Sequence, residues 1–254
     1  MRIATWNVNS LKMRLAHLLD WLAEAKPDVV CLQETKIEDD KFPAAELQAA
    51  GYRAVYCGQK AYNGVAILAR GELRDVAHGI PGFVDDPKRV ISATVDDVRF
   101  VCLYAPNGQA PGTEKYAYKL RWYGELARWL GGELARAPRL AVLGDLNVAP
   151  EDRDVHDPKR WEGKIHVSAP EREALARVMQ LGLVDAFRLF EQPERLYSWW
   201  DYRLAAFARN WGLRIDLILL SPELAKRCTA CTIDKAPRGR ERPSDHAPVL
   251  AELA

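Results

Sequence analysis

Two polar residues, Asp145 and Asn147, follow an apolar run near the middle of the chain. The run at residues 140–143 predicts a short buried strand. Because side chains alternate along a strand with a period of two, Asp145 and Asn147 are expected on the same face. A carboxylate and an amide do not belong in a core without partners. The pair indicates a site that needs an acceptor next to a group that can also donate.

Further polar residues stand at the ends of other apolar runs. Each alone can be interpreted as a turn residue, a surface charge or a cap. Taken together they indicate a site built by loops at strand ends, and their convergence in space is an inference. They are Asn7, Glu34, Tyr104, Asn107, Asp216, Asp245 and His246.

The side chains of this set supply oxygen donors and an imidazole, but no thiolate. Hard oxygen ligands favour Mg²⁺ or Mn²⁺ over zinc, and Mg²⁺ needs only one or two carboxylates, so Glu34 is the expected main ligand. His246 can hydrogen-bond a phosphate oxygen, or stabilise charge when it is protonated. No cysteine or serine stands with a base in a nucleophile motif, so water activated by a carboxylate is the simpler nucleophile. The set predicts metal-assisted hydrolysis of a phosphodiester.

Length and composition exclude some classes of protein. The 254 residues, 48% hydrophobic and 28% charged, can bury a sizeable core. No apolar run approaches the ~20 residues of a membrane span. The start of the chain turns polar at once, so no signal peptide is expected and a cytoplasmic location is the default. With a net charge of +1, a nucleic-acid binder would have to gather its basic residues on one face.

The five cysteines are expected to be free thiols. Cys31 and Cys102 lie within strand-like apolar runs, where buried free cysteine is common. Cys228 and Cys231 form a lone CxxC pair without a second pair or a neighbouring histidine. A structural zinc or redox role for that pair is therefore the less favoured interpretation.

Many short strands and a few amphipathic helices are expected to position the site. Ser10 is the expected cap of a first helix, and further helices are predicted over residues 114–136 and 170–181. The apolar stripe of the long helix is expected to comprise Tyr116, Leu120, Tyr123, Ala127, Leu130 and Leu134. Strands are predicted at residues 2–6, 29–32, 53–56, 65–69, 90–95, 100–104, 140–143, 215–220 and 248–252. Since no linker divides the chain, residues 1–254 are expected to form one domain of two packed sheets with helices outside.

Eight motifs in this chain resemble those of the exodeoxyribonuclease III branch of the endonuclease/exonuclease/phosphatase superfamily, which includes the abasic-site endonucleases. They are WNVNS at 6–10, LQETK at 32–36, YNGVAI at 62–67, YAPNG at 104–108, GDLNVAP at 144–150, SWWDYR at 198–203, GLRID at 212–216 and PSDHAPV at 243–249. Each motif alone is moderately specific, and eight in the family's order are very specific. The resemblance implies an α/β fold, a four-layer α/β/β/α sandwich of the deoxyribonuclease I type, with two packed mixed sheets flanked by helices.

The resemblance also implies roles for individual residues. Asp145 would orient and deprotonate the attacking water, and Asn147 would donate to the phosphate oxygen as charge develops. Tyr104 would contact the scissile phosphate or help the leaving group, while Asp216 would orient a phosphate-binding His246. The implied catalytic residues are Tyr104, Asp145, Asn147, Asp216 and His246. The implied surroundings of the metal, Mg²⁺ or Mn²⁺, are Asn7, Glu34, Asp145, Asn147, Asp245 and His246.

Double-stranded DNA is the partner that the resemblance implies, with contacts through loops. The implied contact residues are Asn107, His166, Trp199, Trp200 and Arg203. Trp199 better matches the family's aromatic wedge, although either tryptophan is open to a core role because the chain has eight.

Two groups of basic residues are less specific indicators of DNA contact. A solvated helix face with one aromatic edge is favoured over DNA contact for Lys119, Arg121 and Trp122. The basic run of Arg238, Arg240 and Arg242 is open to either a solvated loop or phosphate binding.

Several activities are consistent with the resemblance. A 3′-to-5′ exodeoxyribonuclease is expected, with abasic-site endonuclease and 3′-phosphatase or 3′-end-cleaning activity as further ones, leaving 3′-hydroxyl ends. His166 lies in a loop that borders the abasic-sugar pocket in the family, and its bulk suggests a bias toward 3′ ends. A surface-loop histidine is the alternative.

Other function classes stay open. An inositol phosphatase or a phospholipid phosphodiesterase of the same superfamily is disfavoured by the SWWDYR stretch and the end-to-end match. A DNA-binding protein without catalysis is disfavoured because every expected polar residue is present. A monomer is expected.

Overall fold

The computed structural model describes residues 1–84 and 88–254. The strands in chain order are β1 (Arg2–Asn7), β2 (Val29–Gln33), β3 (Arg53–Cys57), β4 (Val65–Ala69), β5 (Arg74–His78), β6 (Val90–Val95), β7 (Val98–Tyr104), β8 (Leu140–Asp145), β9 (Val184–Asp185), β10 (Trp199–Trp200), β11 (Gly212–Leu213), β12 (Asp216–Leu220), β13 (Cys228–Ile233) and β14 (Val249–Leu253). The helices are α1 (Leu11–Ala25), α2 (Ala44–Ala49), α3 (Glu114–Arg136), α4 (Pro158–Trp161), α5 (Ala169–Met179) and α6 (Pro222–Ala225). Short 3-10 turns lie at Asp39–Lys41, Asp152–Asp154, Ala186–Leu189, Arg203–Ala205 and Ala236–Gly239.

Two six-stranded sheets form the centre of the protein. One has the order β13-β14-β1-β2-β4-β3 and the other has the order β5-β6-β7-β8-β12-β9. Both are mixed, because β1 is parallel to β2 but antiparallel to β14, and β8 is parallel to β7 but antiparallel to β12. A separate ribbon pairs β10 with β11.

Alternation along the strands divides the core into layers. On β2, Cys31 joins the core between the two sheets, whereas Leu32 joins the core under α1. On β7, Phe100 faces the other sheet, whereas Val101 packs with the buried face of α3. Helices thus cover the outer faces of both sheets, which confirms the predicted four-layer α/β/β/α sandwich.

The helix starts and stripes differ in detail from the sequence prediction. Ser10 makes no side-chain cap. Its backbone N–H donates to the Glu34 carbonyl oxygen at 2.8 Å, and the Leu11 N–H donates to the Thr35 carbonyl oxygen at 2.9 Å. The start of α1 is therefore held by the loop that follows β2.

The buried face of the long helix α3 includes the predicted Tyr116, Tyr123 and Leu130 but is wider than the predicted stripe. Its buried residues are Tyr116, Lys119, Trp122, Tyr123, Leu126, Trp129, Leu130 and Glu133. The expected Leu120, Ala127 and Leu134 are only partly buried. The helix packs both on its sheet and against α5, so two partners widen its buried face beyond one apolar stripe.

The remaining elements include five short or exposed strands that no periodicity predicted: β5, β9, β10, β11 and β13. All five cysteines are free thiols, as expected. Among the described residues, no helix combines the length and the apolarity that crossing a membrane requires.

Candidate active site

The ends of neighbouring strands bring the predicted polar residues together. Tyr104 on β7 and Asp216 on β12 both stand opposite Asp145 at the end of β8. From the other sheet, the Nδ2 of Asn7 donates to Glu34 Oε1 at 2.8 Å and to Asp145 Oδ2 at 3.0 Å. The site therefore lies where the ends of central strands from the two sheets meet.

Glu34 is presented by an unusual backbone conformation. Its φ of 52° lies in the left-handed region, which costs a residue with a side chain about 1–3 kcal/mol unless its surroundings hold it there. The neighbouring Thr35 N–H donates to the Gly64 carbonyl oxygen at 3.2 Å, and this fixes the loop. Lys36 Nζ lies 2.7 Å from Glu34 Oε2 and donates to Asn9 Oδ1 at 2.6 Å.

Three side chains form a group with the composition of a metal site. One ligand atom each from Glu34, Asp145 and His246 lies within 4.8 Å of the others. Two of the three are carboxylates, the hard donors that Mg²⁺ and Mn²⁺ prefer. The donor chemistry therefore fits a divalent cation.

His246 lies between two carboxylates that favour its protonated form. Its Nδ1 lies 2.8 Å from Asp216 Oδ2, and its Nε2 lies 3.7 Å from Asp145 Oδ2. Burial acts to lower its pKa, but the Asp216 and Asp145 carboxylates outweigh burial and raise the pKa to about 10. A protonated ring offers an N–H and no lone pair. Such a ring can donate to a phosphate oxygen.

Asp145 is a buried carboxylate with a shifted pKa. Burial raises its pKa to about 7; the His246 cation opposes this shift, and the Asp216 and Glu34 charges add to it. Its Oδ1 accepts the Asn147 N–H at 2.9 Å. A general base works best with a pKa near the operating pH.

Asn147 lies beside Asp145, but for a different reason from the predicted one. The strand ends at Asp145, and Asn147 has a φ of 51°, so no strand alternation connects them. The turn itself places Asn147 N–H on the Asp145 carboxylate. Asn147 Nδ2 donates to the Ala105 carbonyl oxygen at 2.9 Å. Asn107 Nδ2 lies 3.5 Å from Asn147 Oδ1.

Tyr104 and Asp245 flank this group in different ways. Burial, together with the Glu34 and Asp145 charges, raises the pKa of Tyr104, and its hydroxyl hydrogen-bonds Glu34. Tyr104 therefore keeps its proton. Asp245 stands apart from the group of three, because its oxygens accept Asn9 Nδ2 at 2.9 Å and Trp199 Nε1 at 3.0 Å.

The predicted DNA contacts are split between surface and core. Asn107 and Arg203 are exposed and Trp199 is half-buried. Trp200 is 0% exposed, and its ring packs edge-on against Phe207 at 5.1 Å. The prediction that Trp200 contacts DNA is therefore wrong, because successive residues of β10 face opposite ways.

His166 is buried rather than a surface-loop residue. Its exposed fraction is 6%, its Nδ1 lies 2.7 Å from the Asn147 carbonyl oxygen, and its backbone N–H donates to Glu171 Oε1 at 3.1 Å. Burial and the neighbouring Lys119 charge lower its pKa to about 3. The ring is neutral and touches the loop that carries Asn147.

Lys119 is a site residue that the sequence interpretation missed. It is 0% exposed, and its Nζ donates to the carbonyl oxygens of Asn147 at 2.7 Å and Asn107 at 3.1 Å and to Glu171 Oε1 at 2.5 Å. The expected solvated face is therefore wrong for Lys119 and correct for Arg121, while Trp122 forms a buried aromatic edge. Lys119 lies three residues after Tyr116 and three residues before Trp122. This helical spacing places it on the same face as two aromatic residues, and that is the sequence signal for its burial.

The basic run before Asp245 divides in the same way. Arg238 is 7% exposed and lies over the rings of Tyr202 and Phe207 at 5.3 and 4.9 Å. Arg240 pairs with two acidic residues of α1. Arg242 remains exposed beside Glu241. Arg238 and Arg240 are thus engaged within the protein, and phosphate binding by this run stays a prediction.

The four-layer sandwich brings carboxylates, amides and an imidazole ring together at its strand ends. This combination defines a class of protein, the metal-dependent hydrolases of phosphate esters. Residues 4–246 match the model of the Endonuclease/Exonuclease/phosphatase family. The chain belongs to that family, which confirms the predicted resemblance.

Individual relatives match over the whole chain. Exodeoxyribonuclease III of Haemophilus influenzae is 35% identical, with all of both chains covered. Among solved structures, a 3′-5′ exonuclease (NExo) from Neisseria meningitidis is 46% identical with a TM-score of 0.98, covering 100% of this chain and 99% of that one. An AP endonuclease from Archaeoglobus fulgidus is 40% identical with a TM-score of 0.96 and the same coverage.

Proposed function

We propose that this protein is a DNA repair nuclease of the exodeoxyribonuclease III type. It would hydrolyse DNA phosphodiesters from 3′ ends, leave 3′-hydroxyl ends and remove 3′-phosphates. The observation that carries the proposal is the contact of Asn7 with both Glu34 and Asp145, next to the Asp216–His246 pair. A further support is the similarity to a 3′ phosphatase NExo from Neisseria solved with a product DNA hairpin, at 45% identity.

Mg²⁺ or Mn²⁺ is the proposed cofactor. Glu34 and Asp145 would hold the ion with Asn7 near it, since carboxylate and amide oxygens suit these hard cations. The bound ion would neutralise the negative charge of the phosphate. His246 lies beside both carboxylates of the metal group and is paired with Asp216, so it would bind the phosphate next to the ion. Asp245 would act at a distance by fixing Trp199 and Asn9.

Four side chains would have the remaining roles in the hydrolysis. Asp145 would accept a proton from the attacking water and orient it. His246, oriented by Asp216, would donate to a phosphate oxygen. Asn147 would turn its amide toward the developing charge, and Tyr104 would donate from its retained hydroxyl proton to the phosphate or the leaving oxygen.

His166 supports a preference for 3′ ends over internal abasic sites. Its ring lies 6.2 Å from that of Trp199 and 6.5 Å from that of Trp161, and it thus fills the space between them. Replacement by glycine would open this space. We expect His166→Gly to raise cleavage at an internal abasic analogue relative to cleavage at a 3′ end, and equal ratios in both proteins would refute the preference.

Digestion of nicked, blunt and abasic-site duplexes with Mg²⁺ or Mn²⁺ tests the function. Release of nucleotides should stop with EDTA and with Glu34→Ala, while Val76→Ala on the exposed surface of β5 should match the wild type. Cleavage of a phospholipid head group without DNA cleavage would support the phosphodiesterase alternative. DNA binding without turnover would support the non-catalytic alternative.

The proposed setting is a monomer that acts on double-stranded DNA in the cytoplasm. Light scattering on the purified protein should give the mass of one chain, 28.6 kDa. A dimer mass would refute the monomer.

A further inference from the structure

Arg214 is a buried cation between β11 and β12, two residues before Asp216. Its side chain is 1% exposed. Its Nε donates to Asp154 Oδ1 at 2.6 Å, and its Nη2 donates to Asp154 Oδ2 at 3.2 Å. The same Nη2 lies 2.7 Å from Asp185 Oδ2. The planar guanidinium thus joins two carboxylates from separate segments, which its fixed fork of donors allows.

Each of the two carboxylates is held by its own segment. Asp154 is 0% exposed and accepts the Glu151 N–H at 3.1 Å in the 3-10 turn after β8. Asp185 ends β9 and accepts the Phe187 N–H at 3.1 Å. The ring of Phe187 lies 5.0 Å from the guanidinium carbon of Arg214. The position of the guanidinium is therefore fixed from both sides.

The backbone after Arg214 connects this position to the candidate active site. The Arg214 N–H donates to the Asp154 carbonyl oxygen at 2.9 Å. Two residues further on, the Asp216 N–H donates to Ser198 Oγ at 3.1 Å. The Asp216 Oδ2 then lies 2.8 Å from His246 Nδ1. A displacement of Arg214 would therefore move the carboxylate that orients His246.

The charges around Arg214 add geometry more than stability. Burial acts to lower the pKa of Arg214, but the Asp185 and Asp154 carboxylates outweigh burial and raise the pKa, so the side chain is charged. Buried ion pairs are weak contributors to stability, because desolvation opposes their attraction and apolar residues of similar volume often replace them without loss. Each donor of the fork, however, must meet an oxygen at a defined place. The buried charges beside Asp216 thus specify where this segment lies.

We propose that Arg214 is a positioning residue for the hydrolysis and holds Asp216 where its carboxylate orients His246. The proposal rests on the proposed nuclease function and assigns a role to a side chain outside the group of Glu34, Asp145 and His246. Because Arg214 acts through Asp216, its loss should lower kcat and leave substrate binding close to that of the wild type.

Arg214→Lys tests the proposal, because it removes the fork of donors but keeps a cation between the carboxylates. The matched control is Arg99→Lys. Arg99 donates to Glu133 Oε2 at 3.0 Å and to Ser92 Oγ at 2.7 Å. It lies near the opposite end of β7 from Tyr104. The two variants therefore carry the same change at two internal ion pairs, one next to the site and one remote from it.

Two readouts separate a positioning role from a structural one. The first is the low-field proton resonance of the His246 Nδ1–H in EDTA, which reports the hydrogen bond to Asp216 without any activity and is assigned by its absence in His246→Gln. This resonance should shift or broaden in Arg214→Lys. The second is steady-state hydrolysis, in which kcat should fall at least about tenfold while KM changes less than about threefold. Arg99→Lys should leave the resonance and kcat unchanged.

Asp154→Asn weakens the same contacts from the other segment. The asparagine can still accept the Glu151 N–H, but it lacks the charge that pairs with Arg214, so it should reproduce both effects. A resonance and a kcat that match the wild type in Arg214→Lys and Asp154→Asn would overturn the positioning role, even if both proteins unfold at a lower temperature. An equal loss in Arg99→Lys would overturn it as well. A wild-type protein that shows the resonance but cuts no DNA with metal present would instead overturn the proposed function.

Discussion

Lys119 offers a sharp test of how the site is positioned. It is fully buried on α3, and its ammonium joins the carbonyl oxygens of Asn107 and Asn147 to the Glu171 carboxylate of α5. Glu171 in turn accepts N–H donors from His166 and Ser168. Lys119→Met keeps most of the side-chain volume but removes the charge.

Lys119 and Glu171 are both 0% exposed. The expected loss in the free energy of unfolding follows from this burial. Removing one member of a buried ion pair leaves the other charge without compensation, at about 3–5 kcal/mol. For a chain of this size that corresponds to a fall in Tm of roughly 6–20 °C. A second change, Glu171→Gln, removes the stranded charge, so the double variant should be more stable than Lys119→Met alone.

Catalysis should respond as well. Without Lys119, the peptide of Asn147 loses a charged donor, and a displacement of about 1 Å at a catalytic group can lower the rate about 100-fold. We therefore expect kcat to fall by about that factor with a smaller change in KM, measured at a temperature where the variant is folded.

Urea unfolding of the wild type, both single variants and the double variant measures the free energies. Arg121→Met is the matched control, because Arg121 is exposed on the same helix and should change stability by less than about 0.5 kcal/mol. A Lys119→Met protein within about 1 kcal/mol of the wild type would contradict the cost of the stranded charge. A double variant no more stable than Lys119→Met would contradict it too.

Three further predictions concern protonation, metal binding and the core. His166 has a folded-state pKa of about 3 and an ordinary one near 6.5, so below pH 6.5 the unfolded chain binds a proton that the folded protein does not. The free energy of unfolding of the wild type should therefore fall relative to that of His166→Gln as the pH is lowered from 6 to 4, by up to about 1.4 kcal/mol per pH unit. Urea unfolding measures this, and a difference that stays constant with pH would contradict it. Mg²⁺ or Mn²⁺ at about 100 times its Kd should stabilise the wild type by about 2.7 kcal/mol in thermal unfolding, whereas an equal shift in Glu34→Gln would place the ion elsewhere. Trp200→Ala should cost about 3–5 kcal/mol because the ring is fully buried, and a cost below about 1 kcal/mol would contradict its core position.

The layers and the strand-end placement of the site could be predicted from the sequence. Apolar alternation is a local property, and it predicted most strands of the two sheets. The strand register then sets Tyr104 and Asp216 opposite Asp145. Polar residues at the ends of buried strands therefore indicate the site without any knowledge of the distances between their side chains.

Contacts between distant segments could not be predicted in the same way. The burial of Lys119 depends on Glu171 of another helix. The burial of Arg238 depends on two aromatic rings of a separate loop, over which it lies. The choice between Trp199 and Trp200 requires the pairing of Trp199 with His246, because alternation alone says only that the two rings face opposite ways.

We propose that Asp145 prepares the attacking water at a site that binds DNA independently of that step. Single-turnover hydrolysis of a 3′-phosphorylated duplex by Asp145→Asn tests this role, together with the Kd for the same duplex. The rate should fall at least about 100-fold while Kd changes less than about threefold. A variant that cuts at the wild-type rate, or one that loses DNA binding in proportion to its rate, would contradict this role of Asp145.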